Sequence, residues 1–221
     1  ILMHTYEKIF AEYGQVVAQV LLTREDSVKR KRYANSRNAL LTLLKMGVIP
    51  IINENDVVAV DELKIGDNDT LSAMVASLVD ADVLIILSDV EGVYTANPQK
   101  DSAARLINQI NDITPDIESL SAEPGSQRGT GGMHTKIQAA KIAVNSGVAM
   151  VIASGVRDGV VSEILTGGPV GTIFISKECR LQVRKRWLAF GARIYGSVTV
   201  DSGCEQAIIE GGSSLLAAGG T

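Results

Sequence analysis

Val83-Leu84-Ile85-Ile86-Leu87-Ser88-Asp89 decides the architecture: an uninterrupted apolar run that ends in a polar tip. A short run of this kind reads as a strand buried on both faces, because a sheet wetted on one side alternates apolar with polar residues. Working outward, a helical pattern over residues 70–79 precedes the run. After a polar stretch come a second helix at 136–145, stopping at Gly147, and a second apolar strand at 148–153. Toward the start the same order recurs. Leu2, Tyr6, Ile9, Phe10 and Tyr13 stand at helical spacing before Gly14; then 16–22 reads as a strand, 27–46 as a helix ending at Gly47, and 48–52 as a strand. Strands alternating with amphipathic helices predict an α/β sandwich whose parallel sheet is covered on both faces. Between residues 97 and 127, with Pro115 and Pro124, the pattern weakens into a polar, irregular excursion.

A chain of 221 residues, 46% of them hydrophobic, can bury a core of domain size, which excludes disorder as the default. The net charge of −4, with acids and bases interspersed, provides no global field for nucleic acid or an anionic membrane. No apolar run approaches the ~20 residues of a membrane-spanning helix, and the first residues lack the charged start and cleavage site of a signal peptide. The expected location is the cytoplasm. Cys179 and Cys204 have neither zinc-site spacing nor the density of a disulfide scaffold and read as incidental thiols. Ile1 to Tyr6 read as a helix already under way, so the chain is expected to begin inside a domain.

Ligands of open parallel sheets bind beyond the carboxyl ends of the strands, so the residues just after each strand carry the information. Here they are Asn53-Glu54-Asn55-Asp56, Gly66-Asp67-Asn68-Asp69, and Ser88-Asp89 followed by Glu91-Gly92-Val93-Tyr94-Thr95. The second set also suits a tight turn with a helix cap, and the third a capped turn. Two acidic clusters at different strand ends can converge on one pocket, where Asn and Asp hold an ammonium while a helix N-terminus receives a carboxylate. Gly129-Thr130-Gly131-Gly132-Met133-His134-Thr135-Lys136 runs glycines into a helix with a lysine in its first turn. Such a loop is either a flexible linker or a phosphate cradle built from backbone amides and a mobile cation. It lacks the spacing of a Walker A loop. His134 reads as solvent-facing or packing before it reads as a phosphate contact, and no metal-ligand cluster accompanies it.

Taken together and in order, these segments resemble the amino acid kinase family, and within it the members that act on glutamate. Asp-x-x-Gly-x-Tyr-Thr and Gly-Thr-Gly-Gly-Met are shared across the family, whereas Asn-Glu-Asn-Asp with Gly-Asp-Asn-Asp points to glutamate. The resemblance extends along almost the whole chain, including Leu22-Thr23-Arg24 and Arg184-Lys185-Arg186-Trp187. It implies a three-layer αβα sandwich with a mainly parallel sheet over residues 1–176, a linker at 177–195, and the start of a small β-rich PUA-like domain at 196–221. It also implies ATP-dependent phosphorylation of the γ-carboxylate of L-glutamate to glutamyl 5-phosphate, the first step of proline biosynthesis, with Mg²⁺. By the same resemblance Lys136 and Asp69 are catalytic, with Asp69 orienting the lysines, and Asp56, Asn68, Asn53 and Asp67 surround glutamate. Ser88 and Asp89 sit on the nucleotide, while Thr130, Gly131, Gly132, Met133, His134, Thr135 and Lys136 cover its phosphates. No residue is assigned to a metal. A homo-oligomer, dimer or tetramer, and feedback inhibition by proline are family expectations.

The family's first strand carries a lysine and a Gly-Thr or Gly-Ser turn, and a later strand ends in Ser-Gly-Ala. Neither segment occurs in this sequence, so about the first third of the kinase domain is expected to be absent from it and the 221-residue chain to be inactive alone. Besides a structural or regulatory pseudo-kinase, against which the intact Asp89, Lys136 and Asn68 argue, two other readings stand beside this one. The first is a kinase of the same family acting on carbamate, aspartate, acetylglutamate or a nucleotide. The second is an RNA-binding protein, suggested by the basic cluster at 184–187 and the PUA-like ending, although the acidic chain makes RNA an unfavoured partner.

Overall fold

Val16–Leu22 (β1) and Val48–Glu54 (β2) pair in parallel, in register from Val16 opposite Val48 to Leu22 opposite Glu54. Parallel strands cannot be joined by a tight turn. The chain therefore crosses over through the helix Arg30–Lys45 (α2), which packs against β2 and turns into it at Gly47, where φ is +71°. In the computed structural model the residues described are 2–23, 26, 29–55, 67–120, 132–176 and 199–209. An opening helix, Leu2–Ala11 (α1), packs on β1 but buries none of its side chains, so its apolar spacing marks a face left largely in solvent.

A second sheet holds four strands. Val83–Ser88 (β3) pairs in parallel with Ala149–Ser154 (β5), the register running from Val83 opposite Ala149 to Ser88 opposite Ser154. Thr172–Phe174 (β6) runs antiparallel to β5, and the two-residue strand Gln109–Ile110 (β4) pairs in parallel with β6, giving the order β3-β5-β6-β4. The reversal between β5 and β6 follows the short helix Val160–Leu165 (α6) and enters β6 at Gly171. There φ is +73°, and any β-carbon would collide with the carbonyl of Ile152. Within the excursion around residues 97–127, the structure adds β4 and the short helix Pro115–Ser119 (α4), capped by the Thr114 hydroxyl.

The layers follow from the two-residue period of strands. Met150, Ile152 and Phe174 face one side, where they pack with Ile137, Ala140 and Ala143 of the helix Met133–Asn145 (α5) and Ala73 and Ala76 of the helix Asn68–Leu78 (α3). Val151 and Ala153 face the other side and pack with Val160 and Ile164 of α6. Alanines on both α3 and α5 let those two helices pack closely together. The expected αβα layering with mainly parallel strand pairing is present, and the second sheet includes one antiparallel pairing, β5 with β6. Among the described residues no strand of β1-β2 pairs with the four-stranded sheet; α3 touches β2 and β3 alike. Arg37 of α2 adds a polar link, donating to the carbonyl of Leu78 and to the carboxylate of Asp80 at the end of α3.

The chain divides into two units, residues 1–191 and 192–221, so the second begins within the stretch expected as linker. Of the stretch expected to open a β-rich domain, the described part holds Val200 in a β-bridge and a helix, Ser202–Ile209 (α7). The Asp201 carboxylate accepts from the backbone N–H of Cys204 at 2.7 Å, as a helix N-cap does. Arg184 to Trp187, Cys179 and the expected linker at 177–195 lie outside the described residues. No described helix is long and apolar enough to cross a membrane.

Candidate active site

β3 and β5 end side by side at Ser88 and Ser154. The chain leaving β3 is then held in place from three directions. Ser88 Oγ donates to Asp89 Oδ1 at 2.9 Å, and the N–H of Gly155 donates to the Ser88 carbonyl at 2.8 Å. Deeper in, the N–H of Val93 donates to Thr172 Oγ1 of β6 at 2.8 Å, with both residues buried. Beyond it, Ile107 N–H donates to the Val93 carbonyl and Thr95 N–H to the Arg105 carbonyl, closing residues 93–107 into a loop. This strap walls a cavity of about 660 Å³. Its lining comes from Asp89 to Gly92, Tyr94, the 96–100 turn, Leu120, and Gly132 and Met133 at the start of α5. The size falls in the range of small-molecule and cofactor sites, roughly 300–1,000 Å³.

Two helix starts meet at the polar centre. Asp67 caps α3 by accepting from the N–H of Thr70 at 2.6 Å and from its hydroxyl at 2.9 Å, and this turn sets Asp69 in the first turn of the helix. Across from it, Lys136 sits in the first turn of α5. Lys136 Nζ donates to Asp69 Oδ2 at 3.1 Å, and the two side chains are only 8% and 16% exposed. The same Oδ2 accepts from Thr135 Oγ1 at 2.8 Å. A carboxylate near a helix N-terminus is favoured by the helix dipole, and the lysine beside it finds in that carboxylate a partner that offsets its burial. The arrangement holds an ammonium at the mouth of a helix N-terminus, where an anion is received.

The residues singled out from sequence fall as follows. Lys136 and Asp69 are brought into contact. Asn68 precedes Asp69 and is exposed at the same helix start, while Asp67 is engaged as the cap, the turn reading of that tetrapeptide. Asn53 is exposed near the carboxyl end of β2, which also touches α3. Ser88 and Asp89 stand at the end of β3, with Asp89 on the cavity wall beside Gly132 and Met133. His134 is exposed. Asp56, Gly66, Gly129, Thr130 and Gly131 lie outside the described residues.

Two features escaped the sequence. Thr172 reads there as one more β-branched strand residue, yet its hydroxyl fixes the cavity strap from 79 positions away. Tyr94 donates to Glu91 Oε2 at the cavity rim. That hydrogen bond to a carboxylate, followed by burial and the negative charge of Glu91, raises the Tyr94 pKa above its ordinary value of 10.0. The pairing had one legible signal, the three-residue spacing of Glu91 and Tyr94. Among the described residues no three His, Cys, Asp or Glu side chains gather as a metal site.

Comparison with known proteins places these observations in context. The amino acid kinase family model matches residues 1–154. A glutamate 5-kinase of Moorella thermoacetica is 52% identical over 219 residues, 99% of this chain and 58% of its own length. One from Myxococcus xanthus is 48% identical over 218 residues, again covering 99% of this chain and 58% of the relative. The chain thus spans less than two thirds of the curated relatives it matches. Among solved structures it is similar in fold to an isopentenyl phosphate kinase (TM-score 0.52, 19% identity, 78% of this chain and 64% of that one). It is likewise similar to the UMP kinase of Bacillus anthracis (TM-score 0.51, 17% identity, 77% and 62%). At such identities the likeness concerns fold alone.

Proposed function

The chain belongs to the amino acid kinase family, and on that premise we propose that the protein is a glutamate 5-kinase, transferring the γ-phosphoryl group of ATP to the γ-carboxylate of L-glutamate. The single observation that carries the reading is the contact of Lys136 with Asp69, which joins the start of α3 to the start of α5 beside the cavity. The identity of 52% to a glutamate 5-kinase supports glutamate ahead of the other acceptors of the family.

In this reading ATP lies in the cavity along Ser88, Asp89, Gly132 and Met133, and Thr130 and Gly131 belong to the same phosphate loop. Glutamate is held by Asp56, Asn68 and Asn53, with Asp67 keeping the α3 start in shape. A γ-carboxylate oxygen attacks the γ-phosphorus in line, the bond to the β–γ bridging oxygen breaks, and an acyl phosphate and ADP result. The carboxylate is already a nucleophile and needs no general base, so the protein's work is positioning and charge neutralisation. Lys136 supplies a cation to the transferring phosphoryl group, and Asp69 fixes where that cation waits. Mg²⁺ neutralises phosphate charge when bound.

The reading extends to a cytoplasmic enzyme opening proline biosynthesis, self-associating as a dimer or tetramer, inhibited by proline, and carrying a PUA-like domain from about residue 196. ADP release by the whole protein with glutamate, tested beside carbamate, aspartate, acetylglutamate and UMP, decides the substrate. Release only with an acceptor other than glutamate refutes the assignment.

A further inference from the structure

Within the reading just given, we propose that Thr135 is a positioning residue: its hydroxyl holds the Asp69 carboxylate in place for Lys136 and does not bind the nucleotide. Thr135 Oγ1 lies 2.8 Å from Asp69 Oδ2 and 2.8 Å from the carbonyl of Gly132. A hydroxyl has one proton to give. Between a neutral carbonyl and a carboxylate, the charge-assisted bond is the stronger, so the proton goes to Asp69. A phosphate oxygen could accept from Thr135 only if that bond broke.

The geometry also explains why a second anchor on Asp69 matters. Lys136 and Thr135 share one acceptor atom, Oδ2. The lysine chain must shift to follow a phosphoryl group in transfer, and a carboxylate held by the ammonium alone would be dragged with it. Threonine is β-branched and therefore stiff at χ1, so its hydroxyl is a fixed point on α5 against which the α3 start is registered. Asp69 then stays in place while Lys136 moves.

The test is steady-state kinetics of the whole protein with Thr135→Val, which keeps the shape, and Thr135→Ser, which keeps the hydroxyl; Thr135→Ala replaces the valine variant should that one not fold. Thr135→Val is expected to lower kcat about tenfold, the scale of one charge-assisted hydrogen bond. KM for ATP and for glutamate, and the melting temperature, stay near their original values. Thr135→Ser is expected to restore kcat. A raised KM for ATP at unchanged kcat would make Thr135 a nucleotide ligand and overturn the proposal, as would a serine variant as slow as the valine one or a valine variant as fast as the parent. If the parent enzyme releases no ADP with glutamate, the substrate assignment fails separately. The same kcat comparison is then made on the acceptor that does support release.

Discussion

Replacing Gly92 by alanine probes the wall of the cavity. A β-carbon there would lie 2.5 Å from Thr172 Oγ1, 2.9 Å from Leu106 Cδ1 and 3.1 Å from the backbone nitrogen of Thr172. Thr172 cannot yield, because it is fully buried and belongs to β6, paired on both sides by β5 and β4. The strap must move instead, and the N–H of Val93 then loses Thr172 Oγ1 in a place that water does not reach. Leaving a buried donor unpaired costs about 1–3 kcal/mol, and forcing extra volume into a packed site costs about 1–3 kcal/mol more. A loss of about 2 kcal/mol or more is therefore expected, read as a melting temperature lower by about 4 °C or more. Calorimetric titration with ATP should show weakened binding, since the displaced segment includes Glu91 and Tyr94 of the cavity lining. Thr172→Val, which removes the acceptor without the clash, should reproduce only the hydrogen-bond part of the loss. A Gly92→Ala protein with the parent's melting temperature and ATP affinity would refute the claim that this hydrogen bond holds the wall.

Lys136→Ala is expected to reduce kcat about a hundredfold or more, the scale of losing one electrostatic contact to a transition state, and turnover assays check it against a preserved circular dichroism spectrum. Asp56→Ala should raise KM for glutamate about tenfold, as the loss of one bond to a charged group does, with kcat nearly unchanged; initial-rate kinetics in glutamate separate the two. Tyr94 should ionise above its ordinary value because Glu91 accepts its proton-bearing hydroxyl. The sign follows: a raised value in the folded state adds stability that is present below pH 10 and lost as pH climbs through the folded value. Ultraviolet difference titration of the parent against Glu91→Gln should show one tyrosine midpoint falling toward 10.

Much of this was legible because burial leaves a strong mark on sequence. The runs at 48–52 and 83–87 are apolar without interruption, and each forms the strand expected, but burial on both faces is not reached: only Ile86 is buried, residues 48–52 are half-buried, and Val83 and Leu87 are exposed. Gly47 and Gly171 sit where the backbone needs positive φ, but only the first could be placed beforehand, because it ends a periodic helix. The antiparallel direction of β6 left no local trace; direction is set by the route the chain takes around α6, and three residues say nothing of it. Gln109–Ile110 is too short and too polar to show as a strand, and exists because β6 offers it an edge. At α7 the helix start is legible in Asp201, whose carboxylate caps the backbone N–H of Cys204. Within the site, each polar tip was visible alone. That Asp69 meets Lys136 across 67 positions was readable only through resemblance, because ion pairing between distant segments carries no periodicity.

The placement of α3 has a mechanical consequence. One helix rests on strands of two ladders that share no hydrogen bonds among the described residues, and its first turn carries Asp69. Any displacement of α3 would therefore shift Asp69, and with it the contact to Lys136, relative to β2 and β3 together.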